Sequence, residues 1–141
     1  MTTQIGVPGF DFEIVSFDAL EDAPDGGAMN IVDPGESFQM RLRFTGSGAM
    51  WTNLEKLELH YHVRYYADGI GITDEINLGE FFGHLTLGGG IYEATKAVSI
   101  ANPGVYKCAA TIYFFTPGHG QFTGLLGFSD DLVVMVHPHE E

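Results

Sequence analysis

The sequence predicts an all-β protein, an antiparallel β-sandwich of about seven strands forming one domain over residues 1–141. Three observations carry that expectation. Apolar residues recur with a period of two in several runs, and no helical period persists. Gly, at 19 residues, clusters with Pro, Asn and Asp between those runs, where an all-β chain turns. The chain has 141 residues, 45% hydrophobic and 13% aromatic, enough to bury one substantial core.

The first strand is read in FDFEIVSF, where Phe10, Phe12 and Ile14 alternate with Asp11 and Glu13. The stretch from Asp18 to Asp33 has no strand pattern, and its Asp18, Glu21, Asp22 and Asp25 predict an exposed acidic loop. In ESFQMRLRF, Phe38, Met40, Leu42 and Phe44 alternate with Gln39, Arg41 and Arg43, a half-buried strand. LEKLELHYHVRYY reads as a third, with Leu57, Leu59, Tyr61, Val63 and Tyr65 inward and Lys56, Glu58, His60, His62 and Arg64 outward. EINLGEFFGHLTL, IYEATKAVSI, GVYKCAATIYFF and DDLVVMVH complete the set. Turns are expected at APDGG, VDPGE, TGSGAM, ADGIG, LGGG, ANPG and TPGHG. Residues 1–9 and 137–141 are expected to be flexible.

Charge narrows the function classes. Six Lys and Arg stand against 19 Asp and Glu, and the formal charge of −13 repels phosphate backbones and anionic lipid surfaces. Nucleic acid and membrane are therefore not expected partners. The start MTTQIGVPGFDFE lacks the basic and apolar regions of a secretory signal, and the one cysteine has no second cysteine to pair with. A reducing compartment, the cytoplasm, is the expected location.

The run NPGVYKC, Asn102 to Cys108, resembles the start of strand F in immunoglobulin-like domains, where a glycine, a tyrosine and a cysteine recur at this spacing. The resemblance implies an immunoglobulin-like sandwich in which the Tyr106 hydroxyl bonds back to the backbone at the preceding corner. It also implies that the His60–His62 strand pairs with strand F. The chain departs from that family in having Asn102 in place of the usual acidic residue, no cysteine on strand B and no tryptophan on strand C. The implied disulfide is therefore absent. Tyr106, Cys108, Ala110, Ile112 and Phe114 share one parity, which predicts a buried, unpaired Cys108 behaving as a small hydrophobe.

Few residues suggest chemistry. His60 and His62 lie two apart on a strand with Glu58 on the same side, so two imidazoles could share a metal ion. This His-x-His resembles that of cupin-like metal-dependent enzymes, but the glutamate expected a few residues later is missing between Val63 and Asp68. Solvated surface histidines are the alternative. His137 and His139 repeat the spacing at the tail, TPGHGQFTG around His119 reads as a binding loop or a long hairpin turn, and the carboxylate pairs Asp74–Glu75 and Asp130–Asp131 sit at strand ends. Neither a nucleophile elbow nor a phosphate-binding glycine loop is present, and no cofactor is expected.

The expected function is a non-enzymatic binding or assembly module that recognises another protein through a sheet face, an edge strand or its loops. The expected surface comprises Lys56, Glu58, His60, His62 and Arg64 together with Lys107, Thr111 and Tyr113, a locally basic face suited to an acidic segment of a partner. The alternative is a carbohydrate-binding sandwich in which Trp51, Tyr65, Tyr66 and Tyr113 stack on sugar rings. The strand order ending in PGVYKCAATIYF is similar to the carbohydrate-reading domains attached to polysaccharide exporters.

Overall fold

The computed structural model describes residues 4–7, 10–22, 26–71, 75–118 and 120–137. Strands β1 (Gln4–Val7), β2 (Phe10–Glu21), β4 (Phe38–Ser47) and β7 (Tyr92–Val98) form one sheet in the order β1-β2-β4-β7. Strands β3 (Ile31–Val32), β9 (Phe122–Val136), β8 (Gly104–Phe115), β5 (His60–Gly69) and β6 (Glu75–His84) form the other, in the order β3-β9-β8-β5-β6. Their pairings are antiparallel except that β3 runs parallel to β9. Helix α1 (Ala49–Lys56) lies between β4 and β5.

The period of two does what it predicts. Phe38, Met40, Leu42 and Phe44 of β4 and Tyr106, Cys108, Ala110, Ile112 and Phe114 of β8 are buried between the sheets. Each large side chain among them contributes about 1.5–3 kcal/mol by leaving water. Where the period breaks, a bulge explains it. In β2 the pairing with β4 shifts between Ile14 and Ser16, so the inward set changes from Phe12 and Ile14 to Phe17 and Ala19, leaving Val15 exposed. In β9 the shift opposite Cys108 and Ala110 turns the inward set from Gly127 and Ser129 to Leu132, Val134 and Val136.

The structure has nine strands among the described residues where about seven were expected. β1 and β3 are short edge strands of four and two residues, too short to show a period. β1 lies within the segment expected to be flexible, paired with β2 from Gln4↔Glu13 to Val7↔Phe10. At the other end the His137 backbone N–H donates to the Val32 carbonyl. The expected acidic loop begins later than Asp18, because β2 continues to Glu21. Asp18 lies 3.2 Å from Arg41, and Asp22 accepts hydrogen bonds from Ser37 and Gln39. Asp25, Asp74, His119 and His139 lie outside the described residues, as does the Asp131 side chain.

The helix is the main departure from the sequence reading. Trp51 and Glu55, one turn apart, face inward, and Trp51 packs against Phe12, Tyr92 and Phe114 at one end of the sandwich. Glu55 accepts a hydrogen bond from the Tyr92 hydroxyl at 2.6 Å, which satisfies a carboxylate that would be costly to bury alone. Glu58 ends the helix in the left-handed region, φ 52°, with its N–H donating to the Glu55 carbonyl. The alternation in LEKLEL thus belongs to the end of a helix and its turn, and β5 begins at His60.

Candidate functional site

The outward face of the five-stranded sheet is built by register. Across β6, β5, β8 and β9, His84, His60, Phe115 and Phe122 form one row, followed by Phe82, His62, Tyr113 and Leu126. The next row runs Glu80, Arg64, Thr111 and Phe128, and a lower one Glu75, Asp68, Lys107 and Val133. Met135 continues the face beside Ile31 of β3. Phe82, Phe122, Leu126, Phe128, Val133, Met135 and Ile31 all remain exposed on it, Phe82 at 54%.

Of the residues singled out from sequence, His60, His62, Arg64, Lys107, Thr111 and Tyr113 share this face. Lys56 and Glu58 do not, because one ends helix α1 and the other occupies the left-handed turn that follows. The face is also not a basic patch. Glu80 Oε1 lies 3.4 Å from Arg64 Nε, Glu80 Oε2 lies 3.2 Å from His62 Nε2, and Asp130 lies 3.1 Å from Lys107 Nζ. The Arg64 guanidinium is held above its ordinary pKa first by a hydrogen bond with Tyr66, with the charge of Glu80 adding to it. It also sits 5.6 Å from the centre of the Tyr113 ring, in cation–π range.

Aromatic contact makes the upper rows a platform. The His62 ring stacks on Phe82 with centroids 4.4 Å apart, and Phe122 meets both Tyr113 and Phe115 at 5.8 Å. A shallow hollow of about 260 Å³ opens between His62, Arg64, Tyr113, Phe115 and Phe122. A second, of about 440 Å³, lies lower on the same face among Tyr66, Asp68, Glu75, Lys107 and Phe128.

The metal reading finds little support in this geometry. His60 and His62 share the face as expected, but His62 is mostly buried against Phe82 and beside Glu80. Among the described residues no group of three His, Cys, Asp or Glu side chains is placed to hold a metal ion. The carbohydrate reading loses two of its aromatics, since Trp51 is 3% exposed and Tyr65 is fully buried, its hydroxyl donating to the Ala94 carbonyl across the sandwich. Tyr66 and Tyr113 are half-buried.

Sequence reasoning missed the apolar half of the face. Its signal lies in strands that are apolar on both parities: Phe81 and Phe82 on β6, Leu125 and Leu126, then Val133 and Val134 on β9. A strand with one wet face alternates, whereas these adjacent pairs put an apolar group on each side. The start of β9, residues 122–124, falls within TPGHGQFTG, which reads as a loop or long hairpin turn because Gly118, Gly120 and Gly124 punctuate it.

Tyr106 and Cys108 on β8 occupy the positions their spacing predicts. The Tyr106 hydroxyl donates to the Asn102 carbonyl at 2.8 Å, and Cys108 is buried and unpaired. Burial pushes the Cys108 thiol up to about 12. No helix among the described residues is long and apolar enough to cross a membrane.

No family model matches the chain. No curated protein matches it either. Among solved structures it is similar to the soluble domain of PmoD from Methylocystis sp. ATCC 49242 (Rockwell), at 9% identity and a TM-score of 0.44 over 96% of this chain and 98% of that one. A likeness at that level assigns neither a family nor an activity.

Proposed function

We propose that this domain is a non-enzymatic interaction module that recognises a protein partner through the outward face of its five-stranded sheet. The observation that carries the reading is the exposure of Phe122, Leu126, Phe128, Val133, Met135 and Ile31 along the adjacent strands β9 and β3, with Phe82 exposed on β6 beyond β8 and β5. Scattered apolar side chains are normal on a surface, but a contiguous patch rimmed by charge marks an interaction site. The face is open, with shallow hollows, which favours a protein surface over a small sugar. Its cations already lie beside Glu80 and Asp130, so an apolar partner surface fits better than an acidic segment.

The immunoglobulin-like reading belongs to the same proposal. It is supported by strand order: β2, β4 and β7 correspond to A, B and E, and β9, β8, β5 and β6 to G, F, C and C′. The Tyr106 corner on β8 and the parallel β3–β9 pairing fit that assignment. A cytoplasmic location is supported by the single unpaired cysteine.

Bait capture from native extract tests the reading. Leu126→Glu with Phe128→Glu is expected to lose the partner held by the wild type, while Glu13→Lys on the opposite sheet keeps it. Retention by the double variant, with unchanged thermal unfolding, would place recognition elsewhere.

A further inference from the structure

We infer that the partner this face is built to take is a second copy of the same chain, docked face to face about a two-fold axis. The inference rests on the proposed reading of the face as the interaction surface and names its occupant. A two-fold contact is self-complementary, so one patch must carry both a projection and the hollow that receives it. Phe82 on β6, stacked on one side against His62, leaves a ring that is 54% exposed. The hollow of about 260 Å³ between His62, Arg64, Tyr113, Phe115 and Phe122 opens on β5, β8 and β9, in the row of Phe82 and the rows on either side of it. Its walls are aromatic rings and the stem of Arg64, and it is roomy enough to admit a phenyl ring.

Area points the same way. Seven large apolar side chains at roughly half exposure leave on the order of 600 Å², approaching the roughly 800 Å² that each partner contributes to a standard interface. The polar and aromatic neighbours on the same rows supply the remainder.

Charge selects the docking face. Two chains of charge −13 repel, and they can approach only where local charge is low. On this face Arg64 and Lys107 are matched by Glu80 and Asp130, the upper rows carry aromatics and histidines, and the excess carboxylates, Asp68 and Glu75, are confined to the lower row. Added salt screens the long-range repulsion without weakening apolar contact, so association should tighten with salt. A face binding an oppositely charged stranger would show the reverse.

Sedimentation of the intact chain, from low micromolar to near millimolar and at low and high salt, tests this directly. The wild type is expected to move from the mass of one chain toward that of two as concentration rises, more readily at high salt. Phe82→Glu and Phe122→Glu are each expected to raise the dissociation constant about tenfold or more, as loss of the inserted ring or of the wall that receives it does. Met50→Glu, at an equally exposed methionine on helix α1, should leave it unchanged. All three positions are at least 45% exposed, and thermal unfolding of each variant checks that the fold survives. A wild type that keeps the mass of one chain throughout, or a dimer that both Phe variants leave intact, would overturn the inference. If that monomeric protein still captures an extract partner that Leu126→Glu with Phe128→Glu loses, the proposed function stands and only the second copy falls. A dimer lost in Phe82→Glu, with extract capture unaffected by the double variant, would retain the second copy and remove the different protein.

Discussion

The Tyr106 hydroxyl donates to the Asn102 carbonyl 2.8 Å away, closing the corner from which β8 starts. Because the tyrosine is fully buried, its hydroxyl has no water to turn to if the bond is lost. Tyr106→Phe keeps the ring and removes the donor, and should cost about 0.5–1.5 kcal/mol in chemical denaturation. An unchanged midpoint would remove the corner from the forces holding β8.

Cys108 should be protected from thiol reagents in the native protein, with labelling limited by unfolding, since it is buried between the sheets. Its folded pKa, raised by burial from 9.0 to about 12, also sets a pH dependence. Above pH 9 the unfolded thiol loses its proton while the folded one keeps it, so the unfolded state binds fewer protons and stability falls as pH rises toward 12. Tyr61, raised to about 12 chiefly by burial, adds to the same loss from its ordinary value of 10.0 upward. Cys108→Ala should flatten the first part of that decline in denaturation series. Equal slopes for both proteins would show that the thiol ionises without unfolding.

Gly46 on β4 lies directly under the Trp51 ring, where a methyl group would collide with it. Gly46→Ala should therefore destabilise by about 1–3 kcal/mol through overpacking. In a Trp51→Leu background the penalty should shrink, and a double-mutant cycle reads the coupling. Additive effects would mean that the penalty does not arise from contact with the Trp51 ring.

Glu58 holds a left-handed backbone, φ 52°, with its side chain exposed. Glu58→Gly relieves that conformation and should leave stability equal or raise it by up to about 1 kcal/mol, despite the greater chain entropy of glycine. A clear loss of stability would mean that the carboxylate contributes at this turn.

The legibility of the fold follows from periodicity. β4 and β8 alternate buried residues with less buried ones, β5 does so except at the buried His62, and the NPGVYKC spacing points to both the buried thiol and the corner. Helix α1 was invisible because its inward residues, Trp51 and Glu55, give only one helical repeat, and the acidic one is buried by virtue of Tyr92, distant in sequence. The site was half legible for a related reason. His60, His62, Arg64 and Tyr113 stand out by residue type, whereas the exposure of Phe82, Phe122 and Phe128 depends on which strands neighbour β9 and on where its bulge falls. Pairings such as Glu80 with Arg64 depend on register, which no single run of residues contains.

Met135 on the outward face and Met50 on helix α1 are nearly equally exposed, at 42% and 45%, which makes them matched reporters of where this protein is covered. Hydroxyl-radical oxidation of the isolated chain should modify both at similar rates. In the associated state, whether with an extract protein or a second copy, Met135 oxidation should fall together with that of Phe82, Phe122 and Phe128, while Met50 stays unchanged. Protection of Met50 with Met135 still oxidised would contradict the assignment of the five-stranded sheet as the binding face.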